Sequence, residues 1–431
     1  MLLAVFLGSF TLFFLLGMPI AAAMISSSFI YILMKGMDLA FMGMQMFSGL
    51  DNFVLIAIPM FILTAEVMNR TSVADRIFKF CTDLVGYIPG GLGHVNIATS
   101  IIFAGMSGSA VADVGGIGHL SYQSMVDEGF DKEFSAAVTI ASSTIGPIIP
   151  PSIPMVVYAM VANVSVGKMF FGGFIPGLLM GLSLMVYVYF VSLKKHYPSK
   201  AKVSAKIYLR NLLASFLMSF FPLLTPVILL GGIYLGVVTT TEASAVAVFY
   251  SLILGFFLYR TMKLNDFWGS LKSVFITCGS ILLVIPAAKV FSFVMTSERL
   301  QDSIYTMMTA FAGDNKWLIV LSINILFLIL GSLSDPTVNI MLFVPMVQPL
   351  IRAAGLDPVH FGVVIVVNAM IGNITPPVGV VLMTVCGIEK LSFEKVVKAL
   401  WPFIGILLVL LALIIIFPQL VLFVPNLLFK R

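Results

Sequence analysis

Two pairs of polar stretches interrupt an otherwise apolar chain, and their residue types could do chemistry. The first pair is Gly105-Met106-Ser107-Gly108-Ser109-Ala110-Val111-Ala112-Asp113 and Ser142-Ser143-Thr144-Ile145-Gly146-Pro147-Ile148-Ile149-Pro150-Pro151-Ser152. The second is Gly331-Ser332-Leu333-Ser334-Asp335-Pro336-Thr337 and Asn368-Ala369-Met370-Ile371-Gly372-Asn373-Ile374-Thr375-Pro376-Pro377. Hydroxyls and unwound backbone carbonyls are hard oxygen ligands for a small cation, and the N-termini of half-helices offer free N–H groups to an anion. The pattern predicts a coupled cation and anion site. Asp113 and Asp335 add carboxylates that are costly in apolar surroundings unless functional, although each could instead cap a half-helix. Glu242, in Thr239-Thr240-Thr241-Glu242, reads more simply as a cap. Lys289 lies within the apolar span 269–296, where it could pair with a carboxylate or substrate or snorkel to an interface. His94, His119 and His360 suggest no chemistry, and the scattered Cys81, Cys278 and Cys386 read as small apolar fillers.

The elements that must position these residues are membrane helices. With 60% hydrophobic and 10% charged residues among 431, a water-soluble fold would expose far too much apolar surface. The runs do not alternate in polarity, which excludes a β-barrel. The first of them, Leu2 to Leu16, lacks a basic lead and a small-residue cleavage site, and reads as a retained helix. Apolar segments fall near 1–34 (broken at Gly17-Met18-Pro19), 52–69, 92–125, 134–163, 169–193, 211–235, 240–260, 269–296, 316–351, 360–388 and 399–425. Each glycine–serine tip lies midway along a segment too long for one crossing, so 92–125 and 316–351 are expected to be re-entrant hairpins. Each Gly…Pro-Pro stretch lies inside a single span, where proline removes a backbone donor, so 134–163 and 360–388 are expected to be broken helices. Unpaired backbone facing lipid would cost several kcal/mol per group, roughly, so these breaks must line a cavity.

An offset of 226 residues superposes Gly105 on Gly331, Gly129 on Gly355, Asp131 on Asp357, Val138 on Val364, Gly146 on Gly372 and Pro150-Pro151 on Pro376-Pro377 without a gap. This is an internal duplication. The basic loop 194–210 divides a first repeat, 1–193, from a second, 211–431. If that loop is cytoplasmic, most of the 24 Lys and Arg residues face the cytoplasm, with Lys35, Lys168, Arg299, Lys316, Arg352, Lys430 and Arg431 outside. The two repeats are then inverted and both chain ends are outside. The expected fold is an all-α polytopic membrane protein of two inverted-topology repeats, each with a re-entrant hairpin and a broken helix. The net charge of +5 lies in loops between apolar spans and gives no reason to invoke a nucleic-acid partner. No phosphate-binding Gly-x-x-x-x-Gly-Lys loop occurs, so an ion gradient must supply the drive.

These motifs, with Thr-Glu-Ala-Ser at 241–244, Asp-Pro-Thr at 335–337, Asp-Pro-Val-His-Phe-Gly at 357–362 and Thr-Pro-Pro-Val-Gly at 375–379, resemble the large membrane subunit of tripartite ATP-independent periplasmic (TRAP) transporters over essentially the whole chain. The resemblance implies a sodium-driven elevator in a bacterial inner membrane. Its partners would be lipid, a separate small membrane (Q) subunit of about four helices and a periplasmic binding (P) protein delivering an organic acid. The wording of the motifs is nearest to sialic acid systems, with C4-dicarboxylates next. Carried over, it places one sodium among Ser107, Gly108, Ser109, Ser143 and Gly146, and another among Ser334, Asp335, Thr337, Gly372 and Thr375. The substrate carboxylate would lie between the tips, near Ser109, Pro150, Asn373 and Thr375.

Two other classes compete. Gly105-Met106-Ser107-Gly108 also matches the Gly-x-Ser-Gly nucleophile of intramembrane serine proteases, which needs a histidine within reach of Ser107. His119 would be roughly 18 Å away along a continuous helix, and a protease has no use for the duplication. An ion channel is the third reading, since re-entrant loops also build filters.

Overall fold

The computed structural model describes residues 1–300 and 315–429, together with Ser303, Thr306 and Gly313. Lys430 and Arg431, placed outside by the charge bias, lie beyond the described residues. Among the described residues the regular elements are all helical. The first half comprises α1 (Leu2–Leu15), α2 (Ile20–Met34), α3 (Leu39–Leu50), α4 (Ala57–Asn69), α5 (Val73–Val85), α6 (Gly91–Ser107), α7 (Ala110–Asp113), α8 (His119–Asp127), α9 (Lys132–Ser143), α10 (Ile153–Ala162) and α11 (Val166–Lys195). The second comprises α12 (Ala205–Tyr234), α13 (Thr240–Leu252), α14 (Leu264–Ser297), α15 (Lys316–Leu333), α16 (Pro336–Ala353), α17 (Pro358–Gly372), α18 (Val380–Ile388), α19 (Phe393–Ile416) and α20 (Gln419–Leu428). Six spans, 166–195, 205–234, 240–258, 264–297, 316–333 and 393–416, are long and apolar enough to cross a membrane singly. The protein is a multi-pass membrane protein.

The apolar pattern omits two helices that the structure contains. α5 carries Asp75, Arg76 and Lys79 on one face and buries Val73, Ile77 and Cys81 on the other, so it has no continuous apolar run. α3 is a short helix whose axis turns by 61° into the following segment, which continues as α4. The segment 399–425 divides at Phe417-Pro418 into α19 and α20, and α20 packs on α11. The 194–210 loop is also shorter than its charges suggest, because α11 runs through Lys194 and Lys195, where cations suit a helix C-terminus.

Each half holds one hairpin and one broken helix. In the first, α6 reaches a turn at Gly108 and the chain returns through α7, a π-helical turn and α8. Beside it, α9 and α10 are separated by an unwound stretch containing the Pro150-Pro151 pair. In the second, α15 and α16 meet at Ser334-Asp335, and α17 and α18 flank an unwound stretch containing Pro376-Pro377. Every residue from 134 to 159 is buried, which encloses the first break; in the second, burial runs from 359 to 374 and returns at Gly379, with Pro377 and Val378 exposed. That enclosure is what unpaired backbone groups require at membrane depth. α1 to α4, α13 and α14 pack on one another as a frame, and α14 also packs on α16 and so joins the frame to the second hairpin.

Buried amides tie hairpin to broken helix in both halves, with one partner at a duplicated position. In the first half Asn96 Nδ2 donates to Thr139 Oγ1 at 2.7 Å and Ser142 Oγ donates to Asn96 Oδ1 at 2.8 Å. In the second, Asn368, which superposes on Ser142, donates from Nδ2 to Asn324 Oδ1 at 2.7 Å. The two backbones come closest at Gly331 and Gly372, where a Cβ on Gly372 would stand 2.7 Å from the Gly331 Cα. Asn96→Leu removes two buried side-chain hydrogen bonds, those to Thr139 and Ser142, each worth about 1 kcal/mol net. The purified variant should melt several degrees below the parent in detergent, and an unchanged melting curve would count against the amide as the tie.

Candidate functional site

The two tips meet across a cavity of about 50 Å³, enough for a dehydrated cation and a water but too small for an organic acid. Its wall takes Gly108, Ser109, Ala110 and Val111 from the first tip and Asp335, Pro336 and Thr337 from the second. Pro147 and Asn373 from the two breaks, Ile153 and Pro154 from the start of α10, Met370 from α17 and Ile281 from α14 complete it. Ser109 and Asn373 therefore face the gap, whereas Pro150 and Thr375 are not on its wall, where Pro147 takes the place expected of Pro150. Ser143 and Thr375 donate their hydroxyl protons to the preceding helical turn, to Ile140 O at 2.8 Å and Ile371 O at 2.6 Å. Their oxygens keep lone pairs but are held against the helix.

Each tip is docked onto its own broken helix by a backbone bond at a duplicated position. Ile153 N donates to Gly108 O at 3.5 Å, and Gly379 N donates to Ser332 O at 2.9 Å; residues 153 and 379 are one offset apart. The tips also carry one carboxylate each, at exchanged places. In the first, Ser109 caps the returning arm by accepting from Ala112 N, while Ser107 Oγ donates to the carboxylate of Asp113. In the second, Asp335 is the cap, accepting from Thr337 N at 2.8 Å, and Ser334 Oγ donates to Asn339 Oδ1 at 2.6 Å. Asp113 and Asn339 are themselves a 226-residue pair.

Asp113 is the residue that the sequence reading left out of the site. It is not the cap of its arm. Its carboxylate instead fills the space beside Gly146, where an added Cβ would stand 2.2 Å from Oδ2, and that oxygen has no hydrogen-bond partner among the described residues. Asn373 Oδ1, at the second break, is likewise buried and unpartnered. A buried acceptor without a donor is expensive, and a bound cation relieves it. Ser107, Asp113 and Gly146 on one side, and Ser334, Asp335, Thr337, Gly372 and Asn373 on the other, offer oxygen-rich surroundings that fit an alkali-metal ion. The signal for Asp113 was its exact offset from a polar partner, Asn339, in the other half.

Two larger cavities flank the gap. One, about 440 Å³, is lined by Glu66, Asn69, Arg70, Ser107, Ser109, Gly115 and Thr277 among others, and shares Ser109, Val111, Ile153 and Ile281 with the gap. Its charges are satisfied internally: Arg70 pairs with Glu66 at 3.5 Å, and Ser273 Oγ donates to Glu66 at 2.8 Å. The other, about 340 Å³, has Lys289, Asp51 and Asn163 on its wall and shares no lining residue with the gap. The gap is thus continuous in its wall with the Arg70 cavity and not with the Lys289 cavity. The returning arm of the first hairpin lines the Arg70 cavity and that of the second, through Met341 and Pro345, lines the Lys289 cavity, as inverted repeats require.

The remaining candidates are structural. Glu242 and Thr239 form a reciprocal capping box at the start of α13. His119 Nδ1 is 2.7 Å from Glu389, on a different element from Ser107.

Residues 7–420 match the family model described as tripartite ATP-independent periplasmic transporter, DctM component. The chain is 40% identical over 412 residues to the sialic acid TRAP transporter large permease protein of Vibrio cholerae, covering 95% of each. It is 37% identical over 414 residues to the sialic acid TRAP transporter permease protein of Haemophilus influenzae, covering 96% of this chain and 66% of that one. It is 37% identical over 389 residues to a C4-dicarboxylate TRAP transporter large permease protein of Pseudomonas aeruginosa, covering 89% of each. In fold it is similar to the YdaH transporter of Alcanivorax borkumensis, with a TM-score of 0.55 at 13% identity over 87% of this chain and 88% of that one.

Gly108 has φ of +61°, and a Cβ there would lie 2.5 Å from the Pro151 carbonyl. Gly108→Val should undock the first tip. A left-handed β-branched residue costs about 1–2 kcal/mol before the clash is counted, so the variant should be cut at the tip by a protease that leaves the parent intact. Equal resistance would show that the tip tolerates a side chain.

Proposed function

We propose a substrate and a mechanism for this chain, which belongs to the DctM component family of tripartite ATP-independent periplasmic transporters and is a membrane transport subunit rather than an enzyme. It imports an organic acid by coupling to sodium, with sialic acid the first candidate and a C4-dicarboxylate the second. The names of the relatives at 40% and 37% identity support that order. Its partners are a small membrane subunit and a periplasmic binding protein, and its location is a bacterial inner membrane with both termini periplasmic. On that orientation Arg70 and the 194–210 loop are cytoplasmic, and the tips are open inward.

The observation that carries this reading is the pair of docked tips, each with one carboxylate, facing each other across a 50 Å³ gap between two larger cavities. Asp335 on the wall of the gap and Asp113 enclosed behind the first tip place negative charge close to where an anionic substrate must come, and that repels it. Sodium at each tip would supply the positive charge that reverses the local field. The chain's own residues then act in sequence. Ser107 and Ser334 fix the two polar partners, and Ser109 and Asn373 line the space where the acid's carboxylate enters. The hairpins and broken helices move as a body against the frame of α1 to α4, α13 and α14, exposing the gap first to the Lys289 cavity and then to the Arg70 cavity. The protease reading finds no histidine at Ser107, whose hydroxyl is committed to Asp113. The channel reading finds the gap joined to one flanking cavity rather than two.

Reconstituted with its small subunit in proteoliposomes, the chain should accumulate labelled sialic acid only with an inward sodium gradient and the binding protein present. Succinate uptake in place of sialic acid would keep the mechanism and change the substrate. Ser107→Ala, Asp113→Asn and Asp335→Ala should each abolish uptake at unchanged membrane abundance, and normal uptake with an unaltered sodium response would remove that residue from the site.

A further inference from the structure

We infer that the Lys289 cavity is a docking site for the incoming acid, and that Lys289 and Asp51 together select a monocarboxylate rich in hydroxyl or amide groups over a dicarboxylate. This rests on the proposal that the chain imports an organic acid with the Lys289 side facing the periplasm.

Lys289 lies well inside the 34-residue helix α14, where a charge is costly unless it meets water or a partner. It is on the helix face that lines all three cavities, following Thr277, Ile281 and Ile285 at four-residue spacing and preceding Ser292. α3 comes close at this level because Gly49 has no side chain: a Cβ there would be 3.1 Å from the Lys289 Cβ and 3.3 Å from the Pro286 Cα. That approach brings Ser48, Asp51 and Asn52, at the end of α3, onto the same cavity as Lys289, while Asn163 closes it from the end of α10.

The polar groups on this wall are unclaimed. Among the described residues, the side chains of Ser48, Asp51, Asn163, Lys289 and Ser292 have no hydrogen-bond or ion-pair partner within the protein. Asn52 spends only its carbonyl, on Val54 N at 3.0 Å, and keeps its amide protons. The Arg70 cavity differs in its charges, since Arg70 is paired with Glu66 and Glu66 also accepts from Ser273 behind the wall. Lys289 and Asp51 face one space without pairing, which leaves each free for a ligand.

The donor set defines what fits. One ammonium matches one carboxylate. Asp51 accepts from hydroxyls, and Ser48, Asn52, Asn163 and Ser292 serve hydroxyl and amide groups of a sugar acid. A second carboxylate would meet Asp51 and be repelled. At about 340 Å³ the cavity is within the range of small-molecule sites. A snorkelling lysine would explain its exposure but not the surrounding unpaired groups.

The test is uptake by the reconstituted complex with its binding protein and sodium gradient, using labelled sialic acid and unlabelled succinate as competitor. Lys289→Met should weaken apparent affinity for sialic acid by about 10- to 100-fold, as for loss of a hydrogen bond to a charged group. Lys289→Arg should retain most of it. Asp51→Asn should weaken sialic acid uptake while making succinate a better competitor, and both variants should melt like the parent without substrate. Parental affinity in Lys289→Met overturns the docking site; an unchanged preference in Asp51→Asn overturns the selectivity. A parent complex that takes up no acid defeats the functional proposal itself, a result distinct from either.

Discussion

Backbone N–H and C=O groups released from a helix cannot face hydrocarbon, and the rest of this structure follows from that constraint. Two broken helices carry such groups at membrane depth. The stretches 134–159 and 359–374 are buried throughout, while α11, α12, α14 and α19 are among the helices that meet the surroundings with exposed apolar side chains. The hairpins are the part of the wrapping that also reaches the breaks. A hairpin that stops midway presents its own unpaired turn, and the two sets of groups satisfy each other, as Ile153 with Gly108 and Gly379 with Ser332 show. Among the buried side-chain atoms left without a partner, Asp113 Oδ2 and Asn373 Oδ1 are the two that belong to the first tip and the second break.

That economy explains how much was legible in the sequence. Breaks, tips and repeats are written in Gly, Pro and Ser at a constant offset, and each of these residues acts locally, so a linear reading finds them. Glu242 could be read for the same reason, because a capping box is a four-residue device. α5 was missed because an amphipathic helix on the frame has no apolar run to detect, and α3 because it is short and bent at its end. Asp113 was left out because the sequence offers it two roles, cap or ligand, and a cap is the simpler one. Only the fold shows that Ser109 already caps the arm and that Gly146 leaves space for the carboxylate. Pro150 and Thr375 were placed at the gap by likeness to a motif. A proline pair turns the chain sharply, and the register of that turn, which decides that Pro147 faces the gap, is not encoded in the identity of the pair.

The duplication is most informative where it is imperfect. A perfect repeat would give the two tips the same charge in the same place. Here the carboxylate is the fourth residue of the returning arm in the first half and the cap in the second, while Ser109 and Asn339 hold the vacated positions with neutral groups. Each tip keeps one negative charge and one hydroxyl bonded to the next turn. Their surroundings differ. Asp113 is 1% exposed and enclosed behind the first tip, whereas Asp335 is on the wall of the gap itself.

An enclosed charge and an open one respond differently to the same neighbour. The field of Asp335 acts on whatever enters the gap at close range, with little protein between them; the field of Asp113 acts through Ser107 and the tip backbone. If both tips hold sodium, the ion at Asp335 is the one whose presence an entering anion senses directly, and the ion at Asp113 holds the first tip and its broken helix together. The halves would then divide the work that their common ancestor did twice, with one tip built for integrity and the other for recognition. Both functions are reached through one exchange of acid and neutral residue across positions 109/335 and 113/339, with no change in the backbone plan that the membrane enforces.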